Sequence, residues 1–175
     1  TAASTTASTV ANTTASTNVV TIDDTSVLIP LNAVIFNNGA IGGIVEKTQY
    51  WVNRIIDGTT FTVSSAVLTR VATATAATTN LITVDSTAGF VVNSPIVFSG
   101  TTFGGISNNS VYYIQVVNNA TSFTVSETPG GSALSLTTAT GEIVARTTAN
   151  TVALTTASGT MTGSSIGAKT TLTAD

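Results

Sequence analysis

The sequence predicts an all-β protein of tandem small antiparallel barrels or sandwiches, and three observations carry that expectation. Sliding the chain on itself by 62 residues aligns residues 18–64 with residues 80–126 without a gap, and 14 of 47 positions are identical. Low complexity alone would not place Phe36 on Phe98 or Tyr50 on Tyr112, so the match reads as an internal duplication. Apolar residues come in short β-branched runs bounded by Gly, Asn and Asp, with no 3.6-residue periodicity. The hydrophobic fraction of 42% against 7% charged residues is far from the signature of disorder, so a packed core is expected.

The duplication sets the expected boundaries. Residues 18–79 form a first unit and residues 80–148 a second. Residues 1–17, "TAASTTASTVANTTAST", resemble the Thr/Ala-rich stretches after each aligned segment and read as the tail of a preceding unit or a linker. Residues 149–175 read as a degenerate third unit or a linker. The first residues lack both a basic n-region and an apolar h-region, so no secretory signal is read there. With no initiator Met, the chain is expected to be a segment of a longer array.

Within each unit the strands follow in order. Residues 19–22 and 81–84 are β-branched runs ending at Asp23 and Asp85. Residues 34–36 and 96–98 form the next strand, and the pairs Gly42-Gly43 and Gly104-Gly105 mark a turn that needs positive φ or close backbone approach. A longer strand covers residues 50–56 and 112–117, and Asp57-Gly58 and Asn118-Asn119 then turn the chain into "TFTVS" and "SFTVS". Alternation puts Tyr50, Val52 and Arg54 on the inner face, with Tyr112, Ile114 and Val116 in the second unit. Phe61, Val63, Phe123, Val125, Val20, Ile22, Ile82, Val84, Phe36 and Phe98 complete the expected core. The opposite face carries an amide in both units, Asn53 and Gln115, and is expected to be outer or interfacial. Trp51 and Tyr113 lie on it.

The inventory bears on chemistry. With no His and no Cys, this chain cannot build a Ser-His-Asp or Cys-His arrangement or a thiolate metal site. Residues 80–141 contain no Lys or Arg and only Asp85 and Glu127 as carboxylates. Only Asp23 and Asp85 correspond among the charged residues of the aligned segments, so the units do not share a reaction's charged groups. No catalytic residue, cofactor or metal ligand is assigned, and the chain is not expected to be an enzyme. Asp23-Asp24 and Asp85 read as Asx turns rather than a Ca²⁺ loop, because a hard cation wants more oxygens than this spacing offers. A net charge of −3 gives no nucleic-acid footprint, and no apolar run reaches the roughly 18 residues that span a bilayer. Trp51 and Tyr113 are the candidate site residues, as an interface with other domains or subunits first and as a sugar-stacking surface second.

The pattern "FGGI…VYYIQVV…TSFTVSETPGGSALSLTTATG" (residues 103–141) resembles repeats of tailed-bacteriophage virion structural proteins, especially cyanophage-type tail, baseplate or fibre proteins. The likeness covers both units and is closest in the second, because the first lacks the Pro129-Gly130-Gly131 turn. The resemblance implies a structural role in a virion, with other copies of the chain and other virion proteins as partners. A host-surface glycan is a further expected partner. The alternative expectations are a bacterial surface or extracellular fibre whose residues 1–17 complete a neighbouring subunit's sheet by strand addition, and a carbohydrate-binding module using the outward Trp51 and Tyr113.

Overall fold

The structure is a computed structural model in which residues 6–166 are described. All regular structure among them is β, in twelve strands that close into two six-stranded antiparallel barrels. The chain begins the first barrel with β1 (Thr6–Thr14), β2 (Val19–Ile22), β3 (Ala33–Asn37), β4 (Gln49–Ile55) and β5 (Thr60–Ser64). It then builds a complete second barrel from β6 (Val67–Ala76), β7 (Leu81–Val84), β8 (Pro95–Ser99), β9 (Val111–Asn119), β10 (Ser122–Ser126) and β11 (Ala139–Thr148). Only afterwards does β12 (Ala157–Ile166) return to the first barrel, filling the gap between β1 and β3.

Around the first barrel the order is β1-β12-β3-β4-β5-β2, and around the second it is β6-β11-β8-β9-β10-β7. The two orders correspond strand for strand. The barrels are therefore nested in sequence, not tandem: residues 66–150 form one compact unit, and the chain segments on either side of it form the other. This corrects the boundaries expected from the sequence. Residues 6–14 do not close a preceding unit but open the first barrel, and residues 157–166 close that barrel rather than start a third unit. Residues 67–76, expected as the tail of the first unit, are the opening strand of the second.

The reason lies in the closing strands. These strands send few apolar side chains into the core: Ala72 from β6, Ile143 and Ala145 from β11, Val10 from β1 and Met161 from β12. Such strands look like Thr/Ala-rich linker when read alone. The ten aliphatic and aromatic positions expected as core beside the tyrosines are all buried, as are Tyr50 and Tyr112. The first interior also includes Leu28, Ile44 and Leu154, and the second includes Ile106 and Leu136. Burying each large side chain contributes about 1.5–3 kcal/mol relative to leaving it in water.

Alternation fails in each long strand, and β-bulges are the cause. Pairing of β4 with β5 slips between Val52 and Ile55, and pairing of β9 with β10 slips between Thr124 and Val125 and again between Ser122 and Phe123. An extra residue reverses the inside-outside sense beyond it. Ile55 and Val117 consequently pack against the cores, whereas Val116 is 45% exposed and Arg54 only half-buried. The expected inward placement of Arg54 and Val116 is thus corrected.

Both barrels use left-handed backbone at matching turns. Lys47 has φ 60° where Asn109 has φ 58°, and each amide donates to the carbonyl of the core phenylalanine, Phe36 or Phe98. A β-carbon makes that conformation unfavourable by roughly 1–2 kcal/mol, and Asn tolerates it best among non-glycine residues. Lys47→Asn is therefore expected to stabilise the first barrel by about 0.5–1 kcal/mol, read as slower amide exchange at Val52. Unchanged or faster exchange would refute the assignment of strain to Lys47.

Candidate functional site

Polar residues at equivalent places in the two barrels make equivalent bonds. The Tyr50 hydroxyl accepts the Val45 amide at 2.9 Å, and the Tyr112 hydroxyl accepts the Ser107 amide at 3.0 Å. Their rings meet Phe36 and Phe98 edge-on at 5.9 and 6.1 Å, geometry that the aromatic quadrupole favours. Thr25 and Thr87 each donate a hydroxyl at 2.6 Å to the carbonyls of Asp57 and Asn119, tying the β4–β5 and β9–β10 turns to the segment after β2 and β7. Asn18 and Asn80, both at positive φ, accept the amides of Leu154 and Leu136 on the strap that leads into the closing strand.

The carboxylates serve the same framework. Asp85 accepts the Val71 amide at 3.0 Å, and Asp23 accepts the Thr9 amide at 3.3 Å, so each carboxylate satisfies an N–H of the barrel's opening strand. Asp24 closes a local Asx turn by accepting both the amide and the hydroxyl of Ser26. The Ser26 hydroxyl first, and its amide second, hold the Asp24 carboxyl below the usual carboxylate range. Among the described residues, no group of three acidic residues comes together as a metal centre would require.

Asp57 occupies the β4–β5 turn and accepts the amides of Thr59 and Thr60 at 2.9 and 2.8 Å. These bonds, the Thr59 amide foremost, lower its pKa. The folded value lies below the unfolded one, so the stabilisation is present above the unfolded pKa. It is lost as pH falls through the folded value. Asn119 makes the matching bond to the Thr121 amide with no proton to gain. The first barrel is thus expected to lose more stability than the second below pH about 4, and Asp57→Asn is expected to flatten part of that slope. Urea midpoints followed by amide exchange at Val52 and Ile114 report the two barrels separately. An unaltered acid slope in Asp57→Asn would contradict the assignment.

Trp51 and Tyr113 stand at equivalent positions on the outer face of their own barrels, each half-buried. Trp51 faces Ala33 on β3 and Ser64 on β5, and Tyr113 faces Pro95 on β8 and Ser126 on β10. Small cross-strand neighbours leave part of each ring open to solvent. Two residues further on, the amides expected on that outer face are covered by the chain's own strap. Asn53 is 5% exposed and donates to the Thr151 hydroxyl, while Gln115 accepts from the Thr124 hydroxyl and reaches the Gly131 carbonyl. Sequence periodicity identified the face but not the strap, which arrives from residues far along the chain. An open depression of about 420 Å³ lies on the second barrel, lined by Glu127, Thr128 and residues 131–135. Tyr113 is not among its lining residues.

The arrangement offers aromatic surface and backbone scaffolding. No family model, curated protein or solved structure matches the chain.

Proposed function

We propose that this chain is a non-enzymatic structural segment of a bacteriophage virion protein of the tail, baseplate or fibre. It belongs to a longer array of such barrels and acts through contacts with other copies of itself and with other virion proteins. The observation that carries this reading is the equivalence of the polar residues in the two barrels. Asn18 and Asn80, Asp23 and Asp85, Thr25 and Thr87, Tyr50 and Tyr112 all hold backbone groups of their own barrel. What the two barrels have in common is thus framework, as an architectural module requires. The resemblance of residues 103–141 to virion repeats supplies the setting. Gold-labelled antibody against residues 66–150 is expected to decorate the tail or baseplate region of intact particles. Label on uninfected bacterial surfaces and absent from particles would overturn the proposal.

A second reading rests on Trp51 and Tyr113, half-open aromatics at matching positions that suit stacking on a host-surface glycan. Glycan binding abolished by Trp51→Ala together with Tyr113→Ala would support it, and binding unaffected by both would exclude it. The strand-addition alternative would need a strand other than residues 6–14, which pair with β2 and β12 of their own barrel.

A further inference from the structure

The two barrels differ most in what joins their fifth strand to the strap before the closing strand. In the second barrel, β10 ends at Ser126, and a turn closed by the Gly131 amide on the Thr128 carbonyl leads to Leu134. The Leu134 amide donates back to the Val125 carbonyl at 2.7 Å. In the first barrel the equivalent bond runs from the Val152 amide to the Val63 carbonyl at 2.8 Å. The strap then continues alike in both. Leu154 and Leu136 are anchored by Asn18 and Asn80, and Thr155 and Thr137 donate amides to the Gly42 and Gly104 carbonyls. One barrel thus bridges this gap with a short turn, and the other bridges it with an entire barrel.

The ends of the inserted barrel suit that gap. Val67 and Thr148 pair across β6 and β11, and the Ala149 amide donates to the Ala66 carbonyl at 3.0 Å. Its two ends therefore leave about one strand spacing apart, roughly 5 Å. The mouth of the gap in the second barrel, Val125 hydrogen-bonded to Leu134, has the same spacing. Residues 127–130 inside it are exposed, and a β-carbon on Gly130 would meet nothing within 4 Å. Gly130 has φ 71°, its amide donates to Asn93 Oδ1 at 2.8 Å and the Ser126 hydroxyl donates to the Thr128 carbonyl at 2.7 Å, but none of these bonds joins β10 to β7.

We infer that the turn at residues 127–132 is a domain-insertion site whose fitting occupant is a further barrel with paired terminal strands. The module then lengthens by nesting, each barrel carrying the next in the same gap. The β9–β10 turn is a contrasting place, although it too is exposed. There the Asn119 carbonyl accepts the Thr87 hydroxyl, the Ala120 carbonyl accepts the Thr87 amide, and the Thr121 carbonyl accepts the Val84 amide. Opening that turn breaks the seam that closes the barrel.

The test inserts a second copy of residues 66–150 into the full chain, in place of Pro129-Gly130 or, separately, between Ala120 and Thr121. The inserted copy carries Val116→Thr and Val144→Thr, two exposed positions, so its β9 and β11 peptides differ in mass from the host's. Hydrogen exchange is then read on the host peptides. Insertion at 129–130 is expected to leave host protection within about threefold of the parent chain, because lengthening a loop whose ends stay paired costs little. Insertion at 120–121 is expected to lower it by about a hundredfold or more. Loss of host protection at 129–130, or equal tolerance at both places, would overturn the inference.

Discussion

Phe123→Ala is expected to destabilise the second barrel by about 3–5 kcal/mol while the first remains protected from exchange. Phe123 is fully buried, its ring meets Phe90 edge-on at 5.0 Å, and it pairs with Ile82 across the seam where β10 meets β7. That seam spans two residue pairs, Ser122 with Thr83 and Phe123 with Ile82. Truncating a buried phenylalanine typically costs about 3–5 kcal/mol. A domain has a total stability of about 5–15 kcal/mol, so a substantial share of it would be removed. The loss also falls on the closure itself, where few backbone bonds remain to compensate. Exchange at Ile114 should accelerate several hundredfold or more, with little change at Val52. Acceleration under tenfold at Ile114 would show that Phe123 does not hold the closure.

Gly104→Ala is the second large effect. Gly104 has φ 68°, and a β-carbon there would overlap the side chain of Thr75, whose hydroxyl donates to the Thr137 carbonyl at 2.7 Å. Gly42 repeats the arrangement with Thr13 and the Thr155 carbonyl. The unfavourable backbone contributes roughly 1–2 kcal/mol, and displacement of the threonine a further 1–3. The substitution is therefore expected to destabilise the second barrel by about 2–5 kcal/mol. Adding Thr75→Ala removes the overlapping hydroxyl and methyl, leaving the β-carbon at 2.7 Å, but forfeits the hydroxyl bond, so the double variant should be less destabilised than the two single effects summed. Simple additivity would show that the glycine is needed for its backbone alone.

These residues were legible from the sequence because each carries a strong local signal. Paired glycines, large aromatics and β-branched alternation survive at a constant spacing of 62, and they located eight strands and most of both cores. What escaped is where local signal is weak. In the first barrel the opening and closing strands are marked inward by Val10 and Met161 alone among residues set in Thr, Ser, Ala and Gly, and nothing in "TASTVANTT" or "ASGTMTGSSI" distinguishes a strand from a linker. Their true relation also breaks the period. "VALTTASG" at residues 152–159 matches "LSLTTATG" at residues 134–141 with a separation of 18, because a whole barrel intervenes in one case and a short turn in the other. A search at one spacing assigns each Thr/Ala-rich stretch to the unit before it, and the nesting disappears. The outer face of the candidate site suffered the same way. Alternation sets Trp51 and Tyr113, both half-buried, against the buried Tyr50 and Tyr112, but the covering of Asn53 by Thr151 depends on a contact across 98 residues.

The nested closure is tested most directly by a disulfide between β1 and β12. Thr9 and Thr162 are partners in that ladder, and the chain contains no cysteine to compete. Antiparallel partners lie about 4.5–5.5 Å apart at Cα, within the range a disulfide spans. Thr9→Cys with Thr162→Cys is expected to oxidise rapidly to an intramolecular bridge in dilute native protein and to slow exchange at Val10 and Phe36. In a tandem arrangement the two positions would belong to different units. Persistent free thiols, or bridges formed only between molecules, would contradict the nested fold.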